Sequence, residues 1–241
     1  MNSPTTARRV ERVRHELKRR RLTVAHVESL TPHFRRITFT DESLSDFVSA
    51  SFDDHIKVFV DDARRDYTPR SFDNAARELV IEFALHGHGP AAEWAAQAAP
   101  GDTLDIGGPK GSMIVPLDYD WHLLVGDETA FPAVARRLEQ LPAGAHAIVV
   151  LQAADAADRR DFRSAANVDL TWVETDAQLL AAVRALALPA GDGYAWCAGE
   201  AACMAALRRE LVDVKGHPRE AIRAAAYWKR GATGHHENLE G

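Results

Sequence analysis

The sequence predicts an α+β chain of two domains, an antiparallel β-barrel followed by a doubly wound α/β domain with a parallel sheet. Two observations predict it. Up to about residue 118, short β-branched and aromatic runs are separated by turn signals. Beyond it, short apolar runs alternate with helical stretches rich in Ala and Leu, the pattern of strands laid parallel by helical crossovers. A length of 241 residues suits one large or two small domains. The boundary is expected at residues 116–120, giving domains 1–118 and 119–241.

In chain order, Val10, Val13 and Leu17 recur at helical spacing, which predicts an N-terminal helix docked by one face. Residues 22–40 read as two strands broken at Thr31-Pro32, and further strands are expected at 55–60, 78–85 and 103–106. Pro90 is placed to open a helix, since its missing N–H costs nothing at the first helical position. In the second half, strands are expected at 121–125, 147–151, 169–173 and 194–198, with helices at 131–141, 176–188 and 201–214. This alternation makes the second domain Rossmann-like.

Composition excludes several classes. Hydrophobic residues at 46% and charged residues at 27% are globular values, not those of disordered or collagen-like chains. No run of about 18 apolar residues occurs, so no membrane-spanning helix is expected. The Arg-rich start lacks the apolar stretch of a secretory signal. Two cysteines, Cys197 and Cys203, make no disulfide framework and no zinc spacing. A cytoplasmic protein follows as the expectation. Residues 1–40 carry ten Lys/Arg against three Asp/Glu, or +7, while the other 201 residues carry 19 against 32, or −13. A basic arm suits a nucleic acid or another anionic surface, but no aromatic residue interleaves with the arginines, and a solvated helix is the simpler reading.

Four segments carry candidate chemistry. In Arg65-Asp66-Tyr67-Thr68-Pro69-Arg70, guanidinium groups suit phosphate, a phenol ring suits a flat conjugated system, and a hydroxyl suits a ring heteroatom; a plain polar loop is the alternative. At His86-Gly87-His88-Gly89-Pro90-Ala91, a strand runs into a helix whose free N–H groups suit a pyrophosphate, unless it is an ordinary turn. Gly107-Gly108-Pro109-Lys110-Gly111-Ser112 reads as either a phosphate-binding nest or a hairpin turn. Gly126-Asp127-Glu128-Thr129 ends the first parallel strand, with Asp127 or Thr129 as a helix cap. Gly199-Glu200 occupies the equivalent place after the fourth strand. Both loops should face the ligand crevice at the carboxyl ends of the strands.

Taken in order, these segments resemble the siderophore-interacting protein family, FAD-dependent ferric-siderophore reductases of the ferredoxin–NADP reductase superfamily. Arg65-Asp66-Tyr67-Thr68 resembles the superfamily's flavin signature, and Arg70 extends it as that family does. Leu30 to Ile37, His86 to Ala95, Gly107 to Ser112, Gly126 to Ala133, Trp196 to Ala201 and Tyr227 to Gly231 continue the likeness over almost the whole chain. The resemblance implies FAD on the first domain and NADPH or NADH on the second. Tyr67 would pack on the isoalloxazine and Thr68 would bond its edge. Arg65 and Arg70 would hold phosphate and ring atoms. His86, Gly87, Gly89, Pro90 and Ala91 would cradle pyrophosphate, and Gly108, Gly111 and Ser112 would close the site. Asp127, Glu128 and Thr129 would approach the flavin, while Gly199 and Glu200 would line the nicotinamide path. NADPH is favoured over NADH because Arg159 and Arg160 follow the second parallel strand, where a 2′-phosphate partner can sit.

The activity so implied passes a hydride from NAD(P)H to FAD and single electrons onward to Fe(III) in a siderophore, releasing Fe(II). The cofactor carries the hard chemistry, so no catalytic acid or base and no resident metal is expected. Lys57, Lys229 and Arg230 are expected to meet an anionic ferric siderophore, with a monomer and no nucleic acid as partner. The alternative is an NAD(P)H-dependent flavin or electron-transfer reductase serving another acceptor. Two departures from the family pattern stand out: Phe131 where Leu is usual, and Ala226 where Gly precedes the final Tyr-Trp. Cys197 and Cys203 are expected to pack, and His235-His236 to belong to a mobile tail.

Overall fold

The computed structural model describes residues 9–85 and 89–232, and the backbone of 237–238. His86, Gly87, His88, His235 and His236 lie outside the described residues.

Alternation with period two builds the first half. Strands β1 (Glu11–Arg14), β2 (Arg19–Thr31), β3 (Phe34–Thr40), β4 (Ile56–Val60), β5 (Ala63–Tyr67), β6 (Pro69–Asp73), β7 (Glu78–Ala84), β8 (Thr103–Gly107) and β9 (Gly111–Ile114) surround one helix, α1 (Pro90–Gln97). Seven of them form a curled antiparallel sheet in the order β5-β4-β8-β2-β3-β7-β6, and β1 pairs with β9. The expected barrel is thus a half-barrel, with β5 and β6 as its edges. Leu22, Val24, Ile37, Phe39, Ile81, Phe83 and Ile106 point inward, and α1 closes over them through Ala95.

The N-terminal helix is corrected. Val10 is buried, but Leu17 is 68% exposed, so these residues share no helical face. Within β2, Arg20, Leu22 and Val24 turn inward while Arg19 and Arg21 turn outward, and period two wins over period 3.6. Most of the arm's charge is neutralised within the fold. Arg19 and Arg21 meet Asp105 on the neighbouring β8, Lys18 and Arg20 meet Asp46, and Arg9 meets Asp118 and Asp192. The polar-loop alternative for residues 64–73 is also replaced, since β5 and β6 are strands of the curled sheet. The hairpin at 107–111 is replaced as well: after the cis Gly108–Pro109 bond, β9 leaves β8 and pairs with β1.

The second half follows the predicted alternation. Strands β10 (Trp121–Gly126), β11 (His146–Gln152), β12 (Asn167–Val173), β13 (Gly193–Glu200) and β14 (Ile222–Trp228) lie parallel in the order β12-β11-β10-β13-β14, with the short β15 (Glu237–Asn238) antiparallel at the edge. Helices α2 (Phe131–Gln140), α3 (Asp176–Ala185) and α4 (Ala201–Arg209) connect them. The strand order reverses between β10 and β13, so the crevice of this doubly wound sheet opens at their carboxyl ends. β14 is a strand the hydrophobic pattern alone does not reveal, because Arg223-Ala224-Ala225-Ala226 reads equally well as helix.

The two sheets share a core. Phe34 of β3 stacks on Phe131 of α2 with centroids 5.5 Å apart, and Phe52 meets Trp196 of β13 edge-on at 5.5 Å. Phe131 also meets Phe162 and Trp172, so its extra volume is absorbed by aromatic neighbours. Ala226 is not among the positive-φ residues, so its Cβ costs no backbone strain.

Candidate functional site

The first group of residues lies where β5 meets α1. Tyr67 packs on Phe83 at 4.6 Å, and burial pushes its phenol up to about 12. Thr68 is buried and shares a hydrogen bond with Tyr227 of β14. Arg65 donates to its neighbour's carbonyl, that of Arg64, at 2.9 Å. Gly89 caps α1 in extended conformation with no side-chain cap, and Pro90 occupies the first turn. Gly89 itself therefore offers the first-turn N–H groups no side-chain acceptor. Among the described residues, a Cβ built on Gly89 would meet no atom within 4 Å. An uncapped helix N-terminus and the nearby arginine-bearing strand suit the phosphates of a dinucleotide, and these residues fit FAD.

The second group lines the crevice at the carboxyl ends of β10 and β13. Asp127 is buried and accepts four hydrogen bonds. Thr129 N and Thr129 Oγ1 reach Oδ1 at 2.9 and 2.5 Å. Glu200 N and Trp228 Nε1 reach Oδ2 at 3.0 and 2.8 Å. Burial pushes this carboxyl up to about 6 despite the bonds from Thr129 and Trp228. Gly199 has φ +153°, and a Cβ there would lie 2.5 Å from Asp127 Oδ2; glycine is needed to admit the carboxylate. Glu200 caps α4 by accepting from Ala202 N at 2.7 Å and Cys203 N at 3.1 Å. Burial pushes its carboxyl up, but these backbone donors and that of Arg230 outweigh it and hold it below the usual range. Glu128 accepts from Ala154 N at 2.6 Å, tying the β10 loop to the β11 loop. The polar residues at these strand ends fit a nicotinamide nucleotide by position.

Several expected ligand contacts are engaged elsewhere. Arg70 forks onto Glu139 of α2 at 2.9 and 2.6 Å and reaches Glu82 at 3.4 Å. It joins the two halves. Arg160 donates to Glu82 Oε2 at 2.6 Å and lies against Phe34, Phe131 and Phe162. Arg159 pairs with the exposed Glu174 at 3.0 Å. Gly111 is glycine because a Cβ would lie 2.5 Å from Val13 O. Ser112 donates to Asp54 Oδ2 at 2.6 Å and contacts His15 Nε2 at 2.7 Å. Gly108 takes φ +99° at the turn into β9. The contacts of Gly108, Gly111 and Ser112 are thus internal. Lys57 donates to Asp66 at 2.7 Å, Arg230 pairs with Asp176, and Lys229 is exposed.

Between the two groups lies a buried polar network that sequence reasoning missed. Asp53 accepts from Trp196 Nε1 at 3.1 Å and pairs with Arg223 at 3.0 Å. Arg136 donates to Ser49 Oγ and Pro69 O. These contacts join residues as far apart in sequence as Asp53 and Arg223, and no local pattern announces them.

Comparison with known proteins agrees with this geometry. A family model described as siderophore-interacting protein matches residues 119–231, and one described as siderophore-interacting FAD-binding domain matches 23–65 and 61–113. The chain is 36% identical to an NADPH-dependent ferric-chelate reductase of Escherichia coli, over 92% of this chain and 98% of that one.

The chain belongs to the siderophore-interacting protein family.

A ferric vibriobactin reductase of Vibrio cholerae is 31% identical over 81% of this chain and 84% of that one. The solved structure of a siderophore utilization protein from T. fusca superposes with a TM-score of 0.87 at 32% identity, over 94% of this chain and 98% of that one. This family member therefore pairs a siderophore-interacting FAD-binding domain with a second half matched by the siderophore-interacting protein model.

Proposed function

We propose that this protein is a ferric-siderophore reductase, taking electrons from NADPH and releasing iron as Fe(II). The observation that carries the reading is the pairing of two sites across one shared core: the uncapped start of α1 beside β5, and the crevice at the strand reversal. Flavin bound at the first site would supply the chemistry that divides a hydride into single electrons. Arg65 and the backbone of Gly89, Pro90 and Ala91 would hold its phosphates, while Tyr67 and Thr68 would meet its ring. Thr129 and the Gly199–Glu200 backbone would border the nicotinamide. With Arg160 engaged by Glu82, Arg159, which pairs with the exposed Glu174, is the guanidinium offered to a 2′-phosphate. The exposed Lys229, with Arg230 and Lys57, would meet an anionic ferric chelate. Catalysis would then lie in position and electrostatics, not in an acid–base pair.

We place the reaction in the cytoplasm, on a monomer. Two buried free cysteines suit a reducing compartment, and no described helix is long and apolar enough to cross a membrane.

The test is the visible spectrum of the purified protein, recorded anaerobically with NADPH and then with a ferric siderophore. Bleaching by NADPH and recovery on adding the ferric complex are expected. Bleaching with recovery by oxygen alone would favour a reductase serving another acceptor. Failure to take up FAD would overturn the reading of the β5–α1 site.

A further inference from the structure

The end of β14 carries an irregularity in its pairing with β13. Ala226 is in register with Gly199 and Trp228 with Glu200, so Tyr227 is an extra residue, and the register shifts at that step. Such a bulge re-aims the side chains around it and recurs beside functional sites. Here it sends two adjacent side chains to two different places. Tyr227 reaches across to the first half and shares a hydrogen bond with Thr68, its ring set edge-on to Trp196 at 6.3 Å. Trp228 turns to the crevice, where its indole N–H donates to Asp127 at 2.8 Å. The backbone beyond is fixed as well, because Arg230 N donates to Glu200 Oε1 at 3.2 Å.

We propose that Tyr227 and Trp228 are paired positioning residues, one setting the Thr68 hydroxyl at the flavin site and the other setting the wall of the nicotinamide crevice. The proposal rests on the assignment of those two sites made above. A threonine hydroxyl has one donor and two acceptor positions. With one of these committed to Tyr227, the remaining capacity of Thr68 is held in a single direction instead of rotating. Trp228 is similarly constrained. Asp127 Oδ2 is shared between the indole and the Glu200 amide, so the ring is held to the same carboxylate that fixes the Gly199–Glu200 turn. One strand end thereby keeps the two sites in a constant relation.

The experiment uses the full chain reconstituted with FAD and two conservative variants. Tyr227→Phe keeps the ring and loses the hydroxyl. It is expected to bind FAD with a shifted flavin band and midpoint potential, and with NADP+ affinity within about twofold of wild type. Trp228→Phe loses the indole N–H. It is expected to leave the flavin band in place and weaken NADP+ binding about tenfold in a difference-absorption titration, the scale of one lost hydrogen bond. Thr68→Val carries the first test from the other partner: it should shift the flavin band at least as far as Tyr227→Phe, and adding Tyr227→Phe to it should bring no further shift. Thr68→Ser should stay at wild type. A Tyr227→Phe protein with unaltered band and potential overturns the proposal, as does a shift that persists undiminished in the Thr68→Val background. NADP+ binding unchanged in Trp228→Phe also overturns it. A wild-type protein that binds no FAD instead overturns the site assignment beneath it.

Discussion

His122 is fully buried on β10, within 3.4 Å of an Arg137 nitrogen. Burial, helped by the charge of Arg137, pushes its imidazole down to about 4. The unfolded chain therefore binds the extra proton between about pH 6.5 and 4. The stability this residue contributes is present above the upper value and drains away on acidification. Relative to a His122→Gln variant, the native protein should lose on the order of 3 kcal/mol between neutral pH and pH 4. Urea denaturation of the two proteins at several pH values measures this, and parallel curves would contradict it. Asp127 works in the opposite sense. Its carboxyl is raised to about 6, so the cost of burying the anion appears as pH rises through the range between 3.8 and about 6. The two slopes oppose each other where they overlap.

At the scale of the element, α1 separates stability from function. Gly89 gives the helix no side-chain cap. Gly89→Asp would supply an acceptor and should stabilise the protein by only about 0.3 kcal/mol. The same carboxylate would face the phosphates proposed to lie there, so FAD affinity should fall at least about tenfold. Thermal melting of the apoprotein and a flavin fluorescence titration read the two effects. Equal or tighter FAD binding in the variant would remove α1 from the phosphate site. The irregular end of β14 belongs to the same category, with a register shift retained where its side chains reach two sites.

At the scale of the whole molecule, the halves are joined by charge as well as by aromatic packing. Glu82 of β7 has a side chain 1% exposed and receives Arg36 at 2.8 Å, Arg160 at 2.6 Å and Arg70 at 3.4 Å. Arg70 continues to Glu139, and buried Asp158 accepts from Thr31 and His33 on the turn between β2 and β3. Glu82→Gln would take from Arg160 its carboxylate partner, while Arg70 keeps Glu139 and Arg36 keeps Glu28. It should cost about 3–5 kcal/mol, read as a lower urea midpoint. A change within the scatter of a surface substitution would show that the cluster carries no net stability.

Local pattern determined much of this protein. The Pro90 helix start, the turn at Thr31-Pro32, the strands and helices from β10 to α4, and the glycine-bearing loops at Gly126 and Gly199 follow from periodicity and turn chemistry. These are short-range effects written into neighbouring residues. Pattern failed where alternatives were locally equal. The Arg-rich arm carries apolar residues that fit a helix, and only pairing of β1 with β9 and β2 with β8 made it strand. Polar β5 and β6 and alanine-rich β14 were settled in the same way, by partners that satisfy their backbone groups. Tertiary structure alone decided which charged residues are free to meet a ligand. Arg65, Arg70, Arg159 and Arg160 look equivalent in a sequence. Arg70 and Arg160 are held by Glu82 and Glu139, because a buried charge must be paired and its partner can come from anywhere in the chain.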